Sequence, residues 1–84
     1  MNFTKYVKVR QEKFGAVIFE TLKEKVFITN KIGAEILDLI AKGKSLNEII
    51  DILKNEYNED ETLISKDVTD FIAELKKNGI LEDQ

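Results

Sequence analysis

The chain has 84 residues, 43% hydrophobic and 35% charged, a balance that suits one small globular domain over residues 1–84. Cysteine and histidine are both absent, which excludes disulfides, thiolate metal sites and the Cys–His or Ser–His nucleophile pairs. The formal net charge of −3 offers no attraction to nucleic acid or anionic lipid. No run reaches the ~20 apolar residues of a membrane span, and no secretory leader is evident, so a cytoplasmic protein without a membrane partner is expected. Composition therefore favours a binding module over a catalyst, with no catalytic residue, metal or cofactor expected.

The first elements read as strands. Residues 4–10, "TKYVKVR", alternate, with Tyr6, Lys8 and Arg10 on one face and Val7 and Val9 on the other. Residues 14–21, "FGAVIFET", form a second strand that is apolar on both faces, with Gly15 as a bulge or a permissive strand position. Residues 24–29 form a third, in which alternation assigns Val26 and Ile28 to the core face and Phe27 to the far face. The connections are short enough for antiparallel hairpins but lack Asn-Gly or other tight-turn signatures.

From residue 30 the apolar period becomes helical. Asn30 caps a helix over 31–42, with Ile32, Ile36, Leu39 and Ile40 inward and Gly43 as its stop. Ser45 to Glu48, "SLNE", is a capping box opening a second helix to Tyr57, with Leu46, Ile49, Ile50, Leu53 and Tyr57 on its stripe. After the polar loop "NEDE" a third helix runs over 61–78, with Ile64, Val68, Phe71, Ile72 and Leu75 inward. Gly79 is placed for a left-handed C′ residue, with Ile80 folding back on the last turn.

Strands followed by helices indicate an α+β fold, a three-stranded antiparallel sheet and then three helices gathered on it. Three helices cover one sheet face and leave the other apolar, with at least one open edge. An open edge is protected or used. Lys23 and Lys25 protect this one weakly, and the chain contains no proline to block it.

The stretches "FGAVIFET", "VFITNKIGAEILDLI", "GKSLNEIIDIL" and "DVTDFIAELKKNGIL", in this order and spacing, resemble the PqqD-like family, also called RiPP recognition elements. The most diagnostic part is a strand ending at Asn30 and running directly into Gly33-Ala34-Glu35-Ile36-Leu37. The resemblance implies a winged-helix-like fold and a non-catalytic peptide chaperone. In that family the leader of a ribosomally made precursor peptide adds to the third strand, in the cleft beside the third helix. It is presented there to a modifying enzyme, often a radical-SAM enzyme. Carried to this chain, the strand is Lys25, Val26, Phe27, Ile28 and Thr29, and the helix wall includes Val68, Phe71 and Leu75. Ordinary core packing accounts for Phe71 and Leu75 as well. Asp67, Asp70 and Glu74 form an acidic stripe beside that wall, which suits a basic leader residue or simply a solvated helix face.

Winged-helix architectures also bind DNA, and that is the alternative reading. It would make the third helix the reading helix, yet Asp67, Asp70 and Glu74 would repel phosphates there, so no nucleic-acid partner is expected. The open edge is compatible with a monomer or a homodimer.

Overall fold

A computed structural model describes residues 1–83. In chain order its elements are β1 (Asn2–Phe3), β2 (Val7–Glu12), β3 (Gly15–Glu20), β4 (Lys25–Thr29), α1 (Lys31–Ala41), α2 (Leu46–Tyr57), α3 (Glu61–Lys77) and β5 (Leu81–Glu82). β2, β3 and β4 form an antiparallel sheet in that order. With the three helices it makes the expected α+β, winged-helix-like architecture. No helix among the described residues is long and apolar enough to cross a membrane.

The register of the sheet decides which residues reach the core. Ile18, fully buried, lies opposite Val9 on β2 and Phe27 on β4. Val9 and Phe27 are both packed against the core cluster. Because successive side chains alternate, Val26 and Ile28 then point away from the helices, 60% and 71% exposed. This corrects the expectation that Val26 and Ile28 are the core residues of the strand and Phe27 the outer one. Two aliphatics lose to one aromatic because the hairpin is pinned at both ends.

At the turn, the buried Glu20 carboxylate accepts hydrogen bonds from the Leu22 and Lys23 amides, each at 3.0 Å. At the other end Gly15, with φ +153°, lies so close to β4 that any Cβ would collide with the carbonyl groups of Thr29 and Asn30. Gly15 is thus a close contact between strands, where the sequence offered either a bulge or a permissive strand position. Phe14, expected in the strand, sits instead in the two-residue turn before it and is 52% exposed.

The helices close as their caps dictate. The Asn30 side chain accepts from the Gly33 amide, and Ser45 and Glu48 complete the capping box. Asp60 caps α3 through the Thr62 amide at 2.7 Å. Both α1 and α3 end in a paired C-terminal motif. Gly43 and Lys44 return amides to the Ile40 and Leu39 carbonyls, and Gly79 and Ile80 to those of Lys76 and Leu75. The second return buries Ile80.

Ile18, Leu37, Ile49, Leu53, Val68 and Ile80 are the largest fully enclosed side chains. The helices depart from the periodic pattern in places: Ile32 and Tyr57, assigned to apolar stripes, are 45% and 38% exposed, and Leu37, which the stripe omitted, is interior. At the ends of the chain, β1 pairs antiparallel with β5, Asn2 opposite Glu82 and Phe3 opposite Leu81. Thr4 reinforces the pair, its amide donating to the Ile80 carbonyl and its hydroxyl to that of Gly79.

Gly15→Ala is expected to destabilise the fold by at least about 3 kcal/mol, since backbone atoms must move to admit the methyl group. Gly43→Ala, where φ is +83° and the space beyond is open, should cost only about 1–2 kcal/mol of backbone strain. Urea unfolding of the two variants measures the difference.

Candidate functional site

β4 pairs with β3 through five consecutive positions, from Lys25 opposite Glu20 to Thr29 opposite Ala16. No other strand among the described residues pairs with its far edge. In an antiparallel strand bound on one side only, alternate residues direct their N–H and C=O groups outward. A row of backbone donors and acceptors therefore faces solvent along β4.

Where β4 ends at Thr29 and Asn30, a groove of about 390 Å3 opens between this strand, the first turns of α1, the end of α2 and the face of α3. Its walls are mainly apolar: Ile28, Ile32, Ile36, Leu53, Ile64, Val68 and Phe71, joined by Gly33, Tyr57, Glu59 and Asp67. Gly33 shapes the floor, for a Cβ there would stand 2.8 Å from that of Thr29 and 3.3 Å from the tip of the Phe71 ring. The glycine lets α1 start directly against the strand.

The residues singled out in the sequence divide into distinct places. Ile28, Thr29, Asp67, Val68 and Phe71 meet at the groove. Lys25 and Val26 continue the exposed strand away from it, and Phe27 is turned toward the core. Leu75 lies wholly within the core. Of the acidic stripe only Asp67 lines the groove. Asp70 is held by Lys66 one helical turn earlier, at 2.6 Å, and Glu74 borders a separate shallow surface with Ala73 and Lys77.

Sequence reasoning missed Ile32, Ile36, Leu53, Tyr57, Glu59 and Ile64 as groove residues. Ile32 could have been found, since it sits at the edge of the α1 stripe, where a helical residue is at a rim. Tyr57 could not, because its place depends on how α2 meets α1.

A polar cluster marks the rim. The Tyr57 hydroxyl donates to the Glu35 carboxylate at 2.8 Å. That hydrogen bond first, then burial and the negative charges of Glu35 and Glu56, push the phenol up to about 12. The Glu56 carboxyl is likewise raised, chiefly by its hydrogen bond with Glu35. Among the described residues no group of acidic side chains could hold a metal ion.

In a Tyr6→Phe background, which leaves one tyrosine, Tyr57 should ionise near 12. Glu35→Gln removes the charged acceptor and should bring the midpoint back toward the ordinary value of 10.0. Phenolate absorbance against pH checks both.

Comparison with known proteins places this geometry. None of the curated proteins compared with the chain is a significant match. Among solved structures, one described as TbiB1 in complex with the TbiA(beta) leader peptide is similar at 25% identity with a TM-score of 0.93. The alignment covers 100% of this chain and 98% of that one. Another, lasso peptide synthetase B1 complexed with the leader peptide, shares 22% identity, covers 98% and 96% of the two chains, and superposes with a TM-score of 0.88. That second likeness speaks for the fold. The family described as Coenzyme PQQ synthesis protein D (PqqD) matches residues 15–81, which include β3, β4 and all three helices, and this chain belongs to that family.

Proposed function

We propose that this chain is a non-catalytic peptide-binding protein that takes the leader of a ribosomally made precursor peptide as a further strand on β4. The observation that carries the reading is the juxtaposition of an unpaired strand edge with an apolar groove at its end. Edge N–H and C=O groups supply affinity with little demand on peptide sequence, and pockets for alternate side chains supply selectivity. Lys25 to Thr29 form the edge. Ile32, Ile64, Val68 and Phe71 receive one or two apolar leader residues, and Asp67 favours a basic residue beside them. Leu75 supports this wall from within the core.

Family membership and the likeness to a protein solved with a leader peptide support the reading. The bound leader is then presented, in the cytoplasm, to a modifying enzyme of the radical-SAM class. With no cysteine in the chain, an iron–sulfur cluster for such chemistry has to reside in that partner. The acidic face of α3, with Asp67, Asp70 and Glu74 exposed, speaks against duplex DNA as the ligand.

The test is a heteronuclear NMR titration of the labelled protein with leader peptides of precursors encoded beside its gene. Shifts should concentrate on Lys25 to Thr29 and on α3 around Asp67 to Phe71. Shifts confined elsewhere, or none with any such peptide, would remove the reading.

A second test uses backbone donors. Because outward N–H groups alternate, proline at one of the neighbours Phe27 and Ile28 removes an outward donor. That variant should bind a cognate leader at least about tenfold more weakly, roughly the 1.4 kcal/mol of one lost hydrogen bond. Thermal unfolding of each variant separates loss of binding from loss of fold. Normal binding by both folded variants would exclude strand addition.

A further inference from the structure

We propose that the free edge of β4 also pairs with β4 of a second copy of this chain, antiparallel and centred on Phe27, so that the protein masks its own peptide-binding edge. The masking clause rests on the function proposed above, whereas the pairing stands on the strand itself.

The sequence of β4 is Lys-Val-Phe-Ile-Thr. Turned about Phe27, it is self-complementary. Val26 falls opposite Ile28 of the second copy, and the reciprocal pair forms by symmetry. Lys25 falls opposite Thr29 of the second copy, again twice. Within the strand no like charges face each other, although like charges directly opposed are what commonly forbids an edge from meeting itself. Shifting the register by one residue either way would break this match.

The pairing also completes the outer face of the sheet. The observed register sets Arg10 beside Val17 and Val17 beside Ile28, and likewise Lys8 beside Phe19 and Phe19 beside Val26. Joined at β4, the two sheets would carry one row across six strands. That row reads Arg10, Val17, Ile28, then Val26, Phe19 and Lys8 of the second copy. Four apolar side chains stand in line, with cations only at the ends.

Val26 and Ile28, 60% and 71% exposed in the single chain, would each gain an aliphatic neighbour. The usual edge defences are weak here: the strand has no bulge over its five pairs and no proline. Five residues per copy is far fewer than the roughly 20–30 per side of a stable interface. The association is therefore weak and reversible, as a mask displaced by a peptide must be.

Sedimentation equilibrium of the full chain, from roughly 10 µM to roughly 1 mM, tests the pairing. A monomer–dimer equilibrium is expected in the unmodified protein. Val26→Lys and Ile28→Glu, both on the solvent face, should each weaken dimerisation at least tenfold, because each opposes a charge to an aliphatic side chain. The double variant sets the new lysine against the new glutamate of the second copy, and should recover dimerisation. A monomer throughout, indifference to both single substitutions, or no recovery in the double variant would overturn the pairing.

A leader that binds in the titration above should dissociate the dimer. A register-dependent dimer that a bound leader leaves intact would retain the pairing and remove peptide addition at this edge. Leader binding at the edge with no dimer at any concentration would do the reverse.

Discussion

The structure depends on the pairing of β3 with β4, and within it on Ile18 lying opposite Phe27. A strand has only two faces, so this one pair settles the direction of every other side chain on β4. The constraint is enforced at the ends of the hairpin, where the Glu20 carboxylate holds the turn and Gly15 admits the carbonyls of Thr29 and Asn30. Asn30 then caps α1 with no intervening loop. The open strand, the helix start and the groove between them are consequences of a single register.

That register leaves two aliphatic residues in water. Burying a Val or Ile side chain contributes about 1.5–3 kcal/mol, stabilisation that the isolated chain forgoes at Val26 and Ile28. Isolated exposed apolar residues are ordinary on protein surfaces, but adjacent ones along an unpaired edge are less so. The apolar content that looked excessive for one small core is therefore divided. Phe27 serves the interior, and its two neighbours stay on the solvent face beside the open edge.

Much of the fold was legible because its signals are local. The capping box at Ser45, the Asn30 cap and the Gly79–Ile80 return each depend on a few consecutive residues, and each forms as expected. The orientation of β4 was not legible. Alternation identifies which residues share a face but not which face is buried, and counting aliphatics favoured the wrong one. β1 and β5, two residues each, carry no periodicity at all.

The site divides in the same way. Val68 and Phe71 follow from the α3 stripe, while the contributions of Tyr57, Glu59 and Leu53 arise only when α2 is packed. Helical period also marked Leu75 and Phe71 alike, although one lies in the interior and the other at the rim.

The β1–β5 pair has a further consequence. It joins the two ends of the described chain beside the β3–β4 turn, where Thr4, Glu20, Lys23, Gly79 and Glu82 border a common surface. The groove lies at the other end of β4, beyond Thr29. A passenger tethered at either terminus would thus hang from the end remote from the groove. The ends of the described chain therefore gather at the Lys25 end of β4, and the end of the strand that opens into the groove stays clear of both.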